Sequence, residues 1–303
     1  IMDSNEVASA FQNDSLGSDD AVGIADKIKK GELSASLVTR DAIERAKAVN
    51  PKLNAITVEN FDLAQTNSEK PFSGFFQGVP TFIKDTDEVP GLPLYLGSRS
   101  LPGEPSDKYS KAAKQIIDTG LNCLGTTTTP EFGLTGTTES LRFGATCNPW
   151  NTAYSTGGSS GGSSALVASG VIPIAHANDG AGSIRIPASC CGLVGLKASR
   201  GRIKDKEVPG YLPANILHDG VVTRSVRDTW AFHAEIEKNI PATEFPPIGD
   251  ISESFPKNLK IAVLTENCLG ENSSAELVQA THDVARLCAV SYTHLTLPTN
   301  GTV

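Results

Sequence analysis

The chain has 303 residues, 39% of them hydrophobic and 20% charged, which suits one large globular domain or two small ones. Its formal charge of −8 opposes a phosphate-binding surface and argues against nucleic acid as a direct partner. No apolar run reaches the length of a membrane span, because Pro, Ser and His interrupt the longest one.

The chain opens Ile1-Met2, as a frame translated from just upstream of a start codon would, and lacks the basic-then-apolar pattern of a signal peptide. From Ser34, an N-cap candidate, Leu37, Val38, Ala42, Ile43 and Ala46 recur at helical spacing, so residues 34–49 are expected to form an amphipathic helix. Gly78 turns the chain into an apolar run, Val79 to Ile83, that reads as a buried strand ending on Lys84. A helix over Lys111–Thr119, closed by Gly120, precedes a brief strand, LNCLG. Ser163–Ser169 reads as a helix capped by Gly170, Val171–Ala175 as a buried strand, and Gly195-Leu196-Lys197 as the end of another. Residues 235–256, rich in Pro, Glu and Ser, read as a loop, and Leu259–Leu264 as a strand. Ser273-Ser274-Ala275-Glu276 forms a capping box before a helix with Leu277, Ala280, Val284 and Leu287 on its apolar face. The last thirteen residues, SYTHLTLPTNGTV, break from that pattern and resemble translated adapter sequence. The expected organisation is therefore a partial domain over 1–290 with a non-native tail over 291–303. Strands alternating with helices predict an α/β fold, a mixed sheet with helices on both faces.

Six cysteines, Cys123, Cys147, Cys190, Cys191, Cys268 and Cys288, form no CxxC pair in a chain too large to need disulfide staples. A reducing, cytoplasmic compartment follows as the expectation. The five histidines have no metal-ligand spacing, so neither a metal nor another cofactor is expected.

The chemistry concentrates in two glycine-rich turns. Residues 157–164 read GGSSGGSS, a composition usual in linkers, yet they run directly into the apolar stretch ALVASGVIPIAHA. The second turn, NDGAGSIRIPAS, holds Ser183 after Gly180, Ala181 and Gly182. A serine hydroxyl is a poor nucleophile until a base removes its proton. His176 is near in sequence, but a lone histidine on a strand is more often structural, and no G-x-S-x-G elbow accompanies it. A lysine serves when burial favours its neutral form, and Lys84 follows an apolar run. The amides of Gly180, Ala181, Gly182 and Ser183 carry little side-chain bulk and are candidate donors to a developing oxyanion. Ser159 and Ser160 are candidates for a relay between lysine and nucleophile.

Taken together, GVPTFIKD, GGSSGGSSALVASG and NDGAGSIRIPASCCGLVGLKASRGRI resemble the amidase signature family. The resemblance extends from about Val22 to Ala289 and implies a Ser–cis-Ser–Lys triad. Lys84 matches the family's lysine, Ser159 the serine that follows a cis peptide bond, and Ser183 the nucleophile, with 75 and 24 positions between them in order. Gly180, Ala181, Gly182 and Ser183 fall where the family presents its oxyanion amides, with Ser160, Asp179 and Arg185 in support. The chain departs from the family's frequent Thr-Asp-Thr/Ile-Gly-Gly by having Asn178-Asp179-Gly180-Ala181-Gly182. GATCNPWN and HANDGAGSIRIPAS look closest to a subgroup that includes aminohexanoate cyclic-dimer hydrolases. The resemblance implies a cytoplasmic amidohydrolase acting on a small-molecule amide, C-terminally truncated and without a membrane partner; a homodimer stays open. One alternative is the A subunit of a tRNA-dependent amidotransferase, with the same triad; another is an inactive truncated fragment. A phosphate-binding loop lacks the GK[ST] that should follow the glycines.

Overall fold

Asp20 and Ser34 accept hydrogen bonds from the amides of Gly23 and Leu37, and so begin helices α1 (Ala21–Lys29) and α2 (Ala35–Leu53) of the computed structural model. The structure describes residues 6–203, 216–238, 245–249, 261–266 and 269–291. It divides into two units, Ile1–Ile251 and Ser252–Val303. Helix α2 runs past Val49 and through Pro51 before Asn54, in the left-handed conformation at φ 51°, ends it. Its inward face is Val38, Ala42, Ile43, Ala46, Val49 and Leu53, with one charged member. Arg45 is buried and donates to Asp14 Oδ2 at 2.7 Å, Gly170 O at 2.6 Å and Gly17 O at 2.9 Å, which ties the N-terminal segment to the loop after the glycine tract.

Strand β1 (Ile56–Glu59), helix α3 (Phe61–Asn67), strand β2 (Pro80–Lys84), helix α4 (Lys111–Ile117) and strand β3 (Asn122–Thr127) follow. In their sheet β3 is central, antiparallel to β1 and parallel to β2, with Lys84 opposite Thr127. The β2–α4–β3 crossover supplies the parallel pair. Two short hairpins come next, β4 (Glu139–Ser140) with β5 (Gly144–Ala145), and β6 (Cys147–Asn148) with β7 (Asn151–Ser155).

The buried helix α5 (Gly161–Ala168), strand β8 (Ile174–Asp179), helix α6 (Arg185–Cys191), strands β9 (Val194–Gly195) and β10 (His218–Thr223), and helix α7 (Val226–Glu237) complete the first unit's regular elements among the described residues. Strand β10 pairs antiparallel with both β8 and β9. Strand β8 lies beside β2, where the Thr81 hydroxyl donates to Ile174 O at 2.9 Å and the Lys84 amide donates to His176 Nδ1 at 3.2 Å. The result is α/β with a mixed sheet, β1-β3-β2, and an antiparallel one, β8-β10-β9, an α/β class as the alternation predicts. Its core includes Phe82, Ile83, Leu124, Leu166, Val167 and Ile174.

Several boundaries differ from expectation. Helix α5 starts at Gly161, two positions before Ser163, where the Gly161 and Gly162 amides donate to Thr138 Oγ1 and Thr128 O. The strand expected over 171–175 is β8 at 174–179: Val171 and Ile172 are buried outside it, whereas His176, Asn178 and Asp179 lie within it. Helix α7 continues to Glu237, past the expected start of a loop at residue 235, and residues 239–244 and 250–256 of that expected loop lie outside the described residues. Residues 261–264 form no strand, and 259–260 lie outside the described residues. In the second unit, α8 (Ala275–Ser291) is capped by Ser274, whose hydroxyl oxygen accepts from the Leu277 amide at 3.4 Å, and not by Ser273. Leu277, Val284 and Leu287 on this helix are exposed, and Ala285 is its buried side chain among the described residues. Residues 292–303, which hold all but the first residue of the expected tail, lie outside the described residues.

Candidate active site

Lys84 is the last residue of β2 and is fully buried. Its amine lies 2.7 Å from Ser159 Oγ, 3.0 Å from Ser160 Oγ and 2.6 Å from Asn178 Oδ1. The glycine tract brings both serines there by packing without side chains. A Cβ on Gly162 would stand 2.6 Å from Ala55 O and collide with Thr128, and one on Gly161 would collide with Thr138 and Thr156. Threonine hydroxyls supply the polar fastenings. Thr129 donates to Ser159 O at 3.1 Å, while Thr138 and Thr156 donate to Gly157 O at 2.9 and 3.0 Å. The peptide bond between Gly158 and Ser159 is cis.

Strand β8 delivers the second turn. The buried Asp179 carboxylate at its end accepts from the amides of Gly182 at 2.7 Å and Ile184 at 3.2 Å, and from Arg185 Nε and Nη2 at 2.9 and 3.0 Å. Burial alone would raise the Asp179 pKa, but the Arg185 and amide hydrogen bonds outweigh it and hold the carboxyl at about 2. The Gly182 amide is therefore occupied, which removes it from the expected oxyanion donors. The amides of Gly180, Ala181 and Ser183 have no hydrogen-bond partner among the described residues. Ser183 lies half-buried on this turn, and its carbonyl accepts from the Ser160 amide at 3.3 Å. No hydrogen bond joins the Ser159 and Ser183 hydroxyls, but both line one cavity of about 500 Å³.

That cavity is walled by Leu96, Phe132, Leu134, Ile186, Ile216 and Leu217, and no charged side chain stands among its described lining residues. Asp85, next to Lys84, shapes this wall by accepting from the amides of Tyr95 at 2.9 Å and Gly97 at 3.1 Å, on either side of Leu96. Burial pushes its pKa up to about 6 against these hydrogen bonds. His176 sits behind Lys84 and does not reach Ser183. Its Nδ1 accepts from the Lys84 amide, so the ring proton of the neutral form is on Nε2, facing Asp219 Oδ1 at 3.2 Å. Asp87 Oδ2 lies 3.9 Å from the same nitrogen, and the three side chains form a cluster compact enough for a cation. A cation there would need the Nε2 lone pair, which the proton occupies, so the cluster does not fit a metal ligand set.

The structure thus joins Lys84 to Ser159 and Ser160 directly, sets the Ser183 turn beside them through the Ser160 amide and the Ser183 carbonyl, and braces that turn through Asp179 and Arg185. Asn178, Thr86 and Asp85 were missed in the sequence. Only Asn178 left a signal, as a departure from the family's usual threonine.

The family model Amidase matches residues 37–295. A putative amidase AmiC of Mycobacterium leprae (strain TN) is 46% identical over 278 residues, covering 92% of this chain and 59% of that protein. A 6-aminohexanoate-cyclic-dimer hydrolase of Paenarthrobacter ureafaciens is 40% identical over 268 residues, covering 83% of this chain and 53% of that one. The solved structure of 6-aminohexanoate cyclic dimer hydrolase complexed with substrate superposes with a TM-score of 0.80 at 36% identity, over 92% of this chain and 60% of the other. A bacterial aryl acylamidase of the amidase signature family gives 0.79 at 29% identity, over 92% and 60%. The chain therefore spans somewhat over half the length of these relatives.

Proposed function

The chain belongs to the amidase family, and from that premise we propose that the full-length protein hydrolyses a small, uncharged amide through an acyl-enzyme on Ser183. Neutral Lys84 takes the proton of Ser159, which takes that of Ser183. The Ser183 oxygen then attacks the amide carbonyl. The amides of Gly180, Ala181 and Ser183 receive the oxyanion, and proton return along the same path releases the amine. Water, deprotonated by the same relay, then cleaves the ester and restores Ser183. Hydrogen bonds of a catalytic relay commonly tighten only when substrate binds, which accommodates the open Ser159–Ser183 pair.

The observation that carries this reading is the fully buried Lys84 amine 2.7 Å from Ser159 Oγ, beside a cavity that Ser183 also lines. The uncharged lining supports a neutral substrate, and the similarity to cyclic-dimer hydrolases supports an aliphatic one. Cytoplasmic residence belongs to the same reading, supported by Cys123, Cys190, Cys191 and Cys288, which are thiols among the described residues. A homodimer does too, supported by exposed Leu141, Trp150 and Tyr154. The test is a fluorophosphonate probe on the full-length protein followed by peptide mass spectrometry. Adduct on Ser183 is expected; an active enzyme labelled at Ser160, or not at all, overturns the assignment.

A further inference from the structure

A neutral lysine amine has two N–H bonds and one lone pair, and only the lone pair can act as base. The tetrahedral directions of the Lys84 amine meet Asn178 Oδ1, Ser160 Oγ and Ser159 Oγ. Which of them faces the lone pair follows from the groups behind these partners.

Asp87 is buried and takes hydrogen bonds on both carboxylate oxygens, from Ser110 Oγ at 2.8 Å and from Thr86 Oγ1 at 2.9 Å. The Ser110 oxygen meanwhile accepts from the Ala113 amide, so its proton is free for Asp87. A carboxylate only accepts, so the Thr86 proton is committed to Asp87 and the Thr86 oxygen must itself accept. It does so from Asn178 Nδ2 at 2.7 Å. With its NH₂ fixed on Thr86, Asn178 presents Oδ1 to Lys84, and that oxygen can take only an N–H. Ser160 is constrained in the same sense: its hydroxyl donates to Asn178 O at 3.3 Å, so its oxygen accepts the second N–H of Lys84. The remaining direction is Ser159.

We propose that Asp87, Thr86 and Asn178 form a hydrogen-bond chain of fixed polarity which, with Ser160, turns the lone pair of neutral Lys84 toward the Ser159 hydroxyl. Asp87, Thr86 and Asn178 are positioning residues: they act through Lys84 and take no proton from the substrate. The inference rests on the amidase reading for its purpose, but not for its geometry. Breaking the chain has a distinctive consequence. When Thr86 cannot accept, the Asn178 amide is free to turn its NH₂ toward Lys84, which occupies the lone pair. The lysine then becomes easier to deprotonate and a worse base.

The experiment follows the Lys84 titration in full-length protein labelled with ¹³C at lysine Cε, alongside turnover of an aliphatic acyl p-nitroanilide. Thr86→Val should move the Lys84 titration to lower pH while kcat falls about tenfold or more with KM little changed. Thr86→Ser should return both toward the parent. Asn178→Asp should move the titration to higher pH, because a carboxylate beside the amine favours ammonium. Asp85, Asp87, Asp179, Asp219 and His176 stand around the two strands and are unaltered in every variant, and Thr86→Ser keeps the hydrogen bond to Asp87 that Thr86→Val removes. An unmoved Lys84 titration in Thr86→Val, a loss carried by KM, or a loss that Thr86→Ser leaves in place overturns the proposal. If Asn178→Asp does not fold, the Thr86 pair decides alone. If the unaltered protein cleaves no amide while the shifts occur as stated, the amidase reading fails and the polarity of the chain stands.

Discussion

A side chain that must shed its proton cannot be replaced by one that never does. Guanidinium stays protonated at any working pH and carries no acceptor, whereas an amine can be deprotonated. Lys84→Arg in the full-length protein is therefore expected to lower kcat by about 10²-fold or more, the usual weight of a general base, without recovering at alkaline pH. An active arginine variant would remove the base role. Gly162 makes the complementary point about absence. A methyl there meets Ala55 O at 2.6 Å and the Thr128 hydroxyl, backbone and β3-linked groups that cannot swing aside. Gly162→Ala should cost about 1–3 kcal/mol in urea unfolding, and a wild-type midpoint would show that the tract tolerates bulk. The meeting of Lys84 with Ser159 was legible because each sits in a motif at a fixed spacing. Asn178 and Thr86 were not, because their part depends on which way a hydrogen bond points, and residue type alone does not state that. The Gly182 amide was misjudged for the same reason: composition shows a small residue, while Asp179 decides whether its N–H is free.

Among the elements, α2 was readable from Ser34 and a regular apolar stripe, since both signals are local. Strand β8 was displaced toward the apolar residues Val171 and Ile172, because hydropathy favours them over His176, Asn178 and Asp179. These polar residues are buried only because Lys84, Asp219 and Arg185 meet them from distant parts of the chain. The contact between α7 and α1 has a similar long-range character and a measurable pH signature. Asp228 on α7 accepts from the amides of Ala21 and Val22, both at 2.9 Å, at the start of α1. Burial, against these hydrogen bonds, raises its pKa from 3.8 to about 6. A carboxyl raised in the folded state stabilises most below its unfolded pKa and loses that contribution as pH climbs through the folded one. The stability advantage of the parent over Asp228→Asn should accordingly shrink between about pH 4 and pH 6.5, by the linkage relation. A gap that stays constant or widens across that interval in urea titrations would contradict the raised pKa.

At the scale of the whole first unit, the lysine on β2 meets partners 75, 76 and 94 positions further along the chain. Arg45 likewise closes onto Gly170 across 125 positions. Contacts this distant in sequence pay a loop-closure entropy before they return anything, and they form late in folding. In refolding from urea, the far-ultraviolet helical signal should return first and Ser183 reactivity toward fluorophosphonate only with the slowest phase. Reactivity that rises with the earliest signal would contradict this order. An unfinished chain then holds its serine and its lysine too far apart to react with anything. Under the proposed mechanism, chemical competence would arrive together with the completed core, and a newly made or partly unfolded copy would be harmless to the amide bonds around it.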